Sequence, residues 1–278
     1  MLNYGMRGHD FEADTIEKLI EKCQRYSIKY IQLVLKKSVS EFKEGMFSEE
    51  YATSIGNLFR KNEIKIPVLG CYINPSETDP EQLQRNIDYF IENLYYAKYI
   101  GAETVGLETG FVGKEIDVNK NDTEDAYQYL LKNMRILCKK AEELGVNIAI
   151  EGVHCFVINT PRKMRRLLDD LNSDNIKVIF DPVNYLNKDN YIVQTRIFDE
   201  FVELLIDKTV VIHLKDFIIE DNEVRYEYPS KGLLDLKSIL EVIRNKKSKI
   251  PIILEEVKEN KIDKVRNDIT RYYKDIIM

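Results

Sequence analysis

Four apolar runs in the second half of the chain each deliver a metal-ligating type of side chain off their ends. "NIAIEGVH" delivers Glu151, "VIFDPVNY" delivers Asp181, "VVIHLKDF" delivers His213 and "PIILEEV" delivers Glu255. Any one of these taken alone suits a cap on the following loop or helix. Four such endings predict a shared destination. Three carboxylates and one imidazole make a hard-to-borderline ligand set for one divalent ion, Mn²⁺, Co²⁺ or Zn²⁺ or else Mg²⁺, whereas Ca²⁺ normally takes more oxygen ligands.

Residues thirty to forty positions apart converge only if the elements carrying them end on one surface. Short β-branched or apolar runs recur at "LNYGM", "YIQLVL", "IPVLGCYI", "TVGLE", "NIAIE", "KVIFD", "TVVIHL" and "PIILEE". Between them lie stretches such as "PEQLQRNIDYFIENLYYAKYI" and "DAYQYLLKNMRILCKKAEEL", whose apolar residues recur every three or four positions, the period of a helix. Asp79-Pro80 and Thr160-Pro161 each pair an N-cap with a proline at the first helical position, and Gly101 and Gly145 stand where helices close. The segment 188–205 and the C-terminal stretch "NKIDKVRNDITRYYKDII" supply the sixth and eighth helices.

Runs that are apolar for most of their length imply strands covered on both faces, hence a parallel sheet wrapped by helices. Eight strand–helix units in about 250 residues predict a (β/α)8 TIM barrel, one domain over residues 1–278. The rival, a doubly wound open sheet, usually carries a glycine-rich phosphate loop or a nucleophile elbow, and the chain has neither. In a barrel the C-terminal strand ends open onto one mouth, which would gather Glu151, Asp181, His213 and Glu255. Alternation along the strand then points Ala149 inward with Glu151, and gives Glu256 the parity of Leu254, so Glu255 is preferred over Glu256.

The same alternation adds mouth residues from the first half. "MRGHD" brings Arg7 and His9, "YIQLVLKKS" brings Gln32 and Lys36, "GCYINP" brings Tyr72 and Asn74, and "VGLETG" brings Glu108. Cations there suit a phosphate, a carboxylate or a polyol; Lys36 and Lys37 equally suit the start of a solvated loop. Lys215 shares the parity of His213 and could polarise an oxygen or simply pair with a carboxylate.

The order Glu…Asp…His…Glu, with "DPVNYL", "HLKD" and "KGLLDLKSIL" around it, resembles the xylose isomerase-like TIM barrels of sugar-phosphate isomerases and epimerases. The resemblance spans nearly the whole chain and is strongest from Asn147 to Glu256. It implies one divalent metal on Glu151, Asp181, His213 and Glu255, with Glu151 and Glu255 catalytic as base and acid on opposite faces of a ketose, ketose phosphate or related polyol. It also implies that His154 contacts sugar hydroxyls, which completes a substrate-binding set of His9, Lys36, Glu108 and His154. An inosose-type dehydratase shares the first step, proton loss next to a carbonyl.

An endonuclease IV-like AP endonuclease is the reading from another class. It needs a histidine-rich trinuclear zinc cluster, and this chain holds three histidines, with Glu108 where those enzymes have a fourth-strand histidine; Asn184 stands where both they and several epimerases have histidine, a departure from either pattern of contacts. A formal charge of −6 also argues against a nucleic-acid partner. No run reaches the roughly 18 apolar residues of a membrane span, and the N-terminus lacks the pattern of a signal peptide, so a cytoplasmic location is expected. Cys23, Cys71, Cys138 and Cys155 have no CxxC spacing and read as reduced, packed thiols. The expected partner is a small carbohydrate. Many family members are dimers or tetramers, which makes a homo-oligomer an expectation without a designated interface.

Overall fold

The computed structural model describes residues 2–38, 40, 42–246 and 250–277. All eight expected strands form: β1 (Tyr4–Arg7), β2 (Tyr30–Leu33), β3 (Lys65–Gly70), β4 (Thr104–Glu108), β5 (Asn147–Glu151), β6 (Ile176–Phe180), β7 (Thr209–Leu214) and β10 (Ile252–Leu254). They pair in parallel around a closed barrel, β10 joining β7 to β1. The helices are α1 (Ile16–Arg25), α2 (Leu35–Ser38), α3 (Glu49–Lys61), α4 (Pro80–Ile100), α5 (Val118–Asn121), α6 (Glu124–Leu144), α7 (Pro161–Leu171), α8 (Gln194–Leu205), α9 (Leu236–Lys246) and α10 (Ile262–Ile277). The fold is a (β/α)8 TIM barrel.

Helix ends follow from local chemistry. Asp79 accepts the Gln82 amide at 2.8 Å and Thr160 accepts the Lys163 amide at 3.3 Å, each followed by proline in the first turn. Gly101 and Gly145 close α4 and α6 at φ of 84° and 66°, a left-handed conformation open to glycine. The sixth helix starts later than expected, at Gln194. Upstream of it the Asn187 side chain accepts the amides of Asp189 and Asn190, a turn that competes with helix.

Two apolar layers result. The larger lies between the strands and helices. The smaller, Val68, Ala149, Ile179, Val211 and Ile253, fills the barrel itself. Gly106 completes it, since a Cβ there would lie 2.6 Å from Val68 Cγ1. Two positions beyond this layer stand Glu151 and His213, within β5 and β7, and Asp181 and Glu255, each the first residue past β6 and β10, and period-two alternation carried to that residue turns all four into the mouth.

One element was not expected. After β7 the chain forms an antiparallel hairpin, β8 (Asp216–Glu220) with β9 (Glu223–Glu227). Asp221 and Asn222 both adopt positive φ, 52° and 63°, as a two-residue hairpin turn demands. The buried Asp216 carboxylate accepts backbone amides from Phe217, Lys231, Gly232 and Leu234, so the root of the excursion is tied to its own first residue.

Candidate metal centre

Glu151, Asp181 and His213 are buried and each offers one ligand atom, all within 4.8 Å of one another. Their oxygens are oriented before any ligand arrives. Glu151 Oε1 accepts from Asn184 Nδ2 at 2.6 Å, and Oε2 lies 3.3 Å from His213 Nδ1. Asp181 Oδ1 accepts the amides of Val183 and Asn184 at 3.0 and 3.1 Å, turning Oδ2 inward.

Glu255 borders this triad without belonging to it. Its Oε1 lies 3.3 Å from His213 Nδ1, while Oε2 faces Lys215 Nζ at 3.3 Å and Arg7 Nη1 at 3.6 Å. The Lys215 ammonium also binds Asp181 Oδ2 and lies 4.8 Å from the centre of the Tyr226 ring. Lys215 therefore stands between the two carboxylates.

The electrostatics follow from this crowding. Burial resists charge on His213, yet the adjacent Glu151 and Glu255 prevail and raise it to about 9. Burial pushes Asp181 up although Lys215 pulls it down. Burial would also raise Glu255, but Lys215, His213 and Arg7 together hold it below the usual carboxylate range. Glu108, beside Glu151 in the sheet, is driven upward by burial and then by that neighbour's charge.

The fit to a metal ion can be read from His213. Both ring nitrogens are fully buried and make no hydrogen bond among the described residues. A buried imidazole normally finds a partner for each nitrogen. Here Nε2 has no partner among the described residues and Nδ1 faces two carboxylate oxygens at 3.3 Å without an aligned hydrogen bond, an arrangement that suits ligation of a divalent cation.

The mouth cavity holds about 300 Å³ and is lined by Arg7, His9, Gln32, Lys37, Tyr72, Glu108, Glu151, Asn184, Lys215, Tyr226, Glu255 and Glu256. A larger depression of about 570 Å³ on the flank, under Phe47, Tyr89 and Tyr95, gathers no such ligand set. Of the expected substrate contacts, His9 and Glu108 line the mouth. Burial, with Arg7 and Lys37 nearby, lowers His9 to about 4.

Lys36 does not line the mouth cavity, and this corrects the strand-parity argument. The strand ends at Leu33 and Leu35–Ser38 is a helical turn, so successive side chains rotate by about 100° rather than alternate. Lys37 takes the position, while Lys36 pairs with Glu44 at 3.3 Å. His154 also lies outside the lining; its amide donates to the Asn184 carbonyl at 2.7 Å. Glu256 does line the cavity, contrary to parity, because β10 ends at Leu254 and Glu256 turns left-handed at φ 58°. Arg7 holds it at 3.1 Å on the rim. Tyr226 was missed, and the Asp221-Asn222 turn between alternating runs was the signal that would have found its hairpin.

A closed parallel barrel whose strand ends gather acids and a histidine defines a (β/α)8 barrel with a C-terminal-face site. The match to the xylose isomerase-like TIM barrel model over residues 20–275 shows that the chain belongs to that family. No curated protein matches the chain in sequence. Among solved structures, a D-tagatose 3-epimerase-like protein is 14% identical at a TM-score of 0.76, with 100% of each chain covered. The IolI protein, solved with a zinc atom, is 16% identical at 0.73, covering 98% of this chain and 99% of that one. The probable 3-DHS dehydratase AsbF from Bacillus anthracis is 12% identical at 0.73, covering 97% and 98%. At these identities the likeness establishes the fold.

Proposed function

We propose that the protein is a divalent-metal-dependent isomerase or epimerase of a carbohydrate, removing a proton from the carbon next to a carbonyl. The observation that carries this reading is the buried Glu151–Asp181–His213 group with Glu255 3.3 Å from the same imidazole. Glu151, Asp181, His213 and, through Oε1, Glu255 would hold the ion. When bound, the ion would polarise the substrate carbonyl and so acidify the neighbouring C–H.

The side chains supply the rest. Glu151 and Glu255 arise from strands on different sides of the barrel, and we assign them the roles of base and acid, exchanged in the reverse direction. Asn184 fixes Glu151 by holding Oε1. Lys215 supplies a buried positive charge beside Asp181 and Glu255, available to stabilise an oxyanion or to protonate a departing hydroxyl. His9, Glu108 and Tyr226 would contact the substrate within the cavity, Lys37 would take the place first given to Lys36, and His154 would act from the loop beside Asn184.

The names of the structural neighbours, an epimerase-like protein and a dehydratase, are compatible with chemistry that begins by the same proton loss. An endonuclease reading is disfavoured because His9 and His154 do not join His213 in the metal-ligating group. The test is a screen of ketoses, ketose phosphates and inososes in D₂O with added Mn²⁺, Co²⁺ or Mg²⁺, followed by NMR. Metal-dependent deuterium incorporation next to the carbonyl is expected; a new alkene or dehydrated product would instead mark a dehydratase. Absence of exchange and of turnover across the set would overturn the reading.

A further inference from the structure

The chain leaves the barrel at Glu255 by a turn that strand alternation does not produce. One residue past β10 the Glu255 amide still donates to the Leu214 carbonyl of β7, at 3.0 Å. Glu256 then adopts a left-handed backbone at φ 58°, and Val257 is buried in the layer between strands and helices. Glu256 alone among the described residues combines a positive φ with a place on the mouth lining.

Continuing β10 would have two costs. Glu256 would take the parity of Leu254, which packs in the outer apolar layer, and Val257 would follow Glu255 into the mouth. A carboxylate would then be buried among apolar side chains. The left-handed turn avoids both, in a conformation that suits glycine or asparagine better than glutamate. It also delivers Glu256 to Arg7. Arg7 Nη2 lies 3.1 Å from Glu256 Oε1 and 3.0 Å from Asp10 Oδ1, and Nε lies 2.8 Å from Asp10 Oδ2. Its remaining arm, Nη1, faces Glu255 Oε2 at 3.6 Å, beyond hydrogen-bond reach. Arg7 and Lys215 thus border Oε2, and Oε1 is left facing His213 Nδ1 at 3.3 Å.

We infer that Glu256 is a positioning residue for Glu255: its left-handed turn, secured by Arg7, keeps Glu255 Oε1 directed at the His213 side of the metal centre. This rests on the assignment of Glu255 as fourth ligand in the proposed function. Sparsely populated backbone persists where its surroundings over-determine it, and here three restraints meet: the Leu214 bond before the turn, buried Val257 after it and Arg7 across it. The backbone carries the role, so residues that accept the left-handed region serve and β-branched ones do not.

The test is calorimetric titration with Mn²⁺, joined to thermal melts of the metal-free protein, so that neither readout needs a substrate. Glu256→Asn should bind Mn²⁺ within about 3-fold of wild type and Glu256→Val at least about 10-fold more weakly, the scale of a lost orienting group. In a Glu255→Ala background, itself weakened, the valine substitution should cost nothing further, because no carboxylate is left to aim. Glu256→Asn should also melt about 1–2 °C above Glu256→Gln, since both lack the charge and asparagine tolerates the turn better. That comparison decides the matter if the valine variant fails to fold. Equal affinities of the asparagine and valine variants, an equal valine loss with and without Glu255, or an asparagine variant melting no higher than the glutamine one would overturn the proposal alone. Unchanged Mn²⁺ affinity in Glu255→Ala, or no Mn²⁺ binding by wild type, would overturn the fourth-ligand assignment and the proposal with it.

Discussion

The Asn184 side chain donates to Glu151 Oε1 across 2.6 Å, while its own backbone amide donates to Asp181 Oδ1 at 3.1 Å. One loop residue thus sets the orientation of two carboxylates from adjacent strands. Asn184→Ala should weaken divalent-ion binding by about 10- to 100-fold, the scale seen when groups orienting metal ligands are lost. Calorimetric titration with Mn²⁺ or Zn²⁺ checks this; unchanged affinity would mean the carboxylates are held by packing alone.

Glu151→Gln and Glu255→Gln should each lower turnover on the order of 10²-fold or more, with metal binding only partly weakened. The amide keeps an oxygen ligand but cannot exchange a proton with carbon. A Glu255→Gln variant working at the wild-type rate on a confirmed substrate, metal in place, would sink the two-glutamate assignment.

Lys215→Met should destabilise the metal-free protein by roughly 3–5 kcal/mol, because it leaves the buried Asp181 without its ammonium partner and Glu255 with only Arg7 and His213. A divalent ion would restore positive charge to the same place. The rise in Tm on adding Mn²⁺ should therefore be larger in the variant than in wild type. Equal increments in differential scanning calorimetry would show that Lys215 and the ion do not share a role.

His9 predicts an acid-side loss of stability. Its folded value of about 4 lies below the ordinary 6.5, so between those limits the unfolded chain binds more protons and stability rises with pH. The penalty is absent above about pH 6.5 and complete below about 4. Partial solvation of the ring keeps its size below that of a fully buried imidazole. Thermal melts of wild type and His9→Gln across pH 4 to 7 should converge near neutrality and diverge on acidification, wild type falling faster; parallel curves would remove His9 as the cause.

The barrel and its ligand-bearing strand ends were legible because burial on both faces leaves long apolar runs, and because period-two alternation fixes which residue past Ala149, Ile179, Val211 or Ile253 turns inward. That rule holds for the first residue past β6 and β10 and fails further on. Leu35 begins a helical turn and exchanges Lys36 for Lys37, and Glu256 enters the rim through a left-handed backbone. A carboxylate partner for Lys215 was one of its two readings, but that it would stand between Asp181 and Glu255 was not readable. It depends on strands β6, β7 and β10 lying side by side, a long-range fact that no local pattern encodes. Tyr226 arrives from a hairpin whose turn was visible but whose reach over the mouth was not.

The amide cluster on Asp216 has a further meaning for how such a protein can change over generations. The hairpin leaves and re-enters the barrel at a point fastened by Asp216 itself, and its turn at Asp221-Asn222 is solvent-exposed. Sequence and length at the exposed turn, residues 220–223, can therefore vary with little effect on the strands beneath, while Ile219, Val224 and Tyr228 stay packed against the core. The hairpin is thus an addition fastened to the barrel at its root, through which a change at Tyr226 would retune the mouth and the face of Lys215 it covers while the strands that carry Glu151, Asp181 and His213 stay as they are.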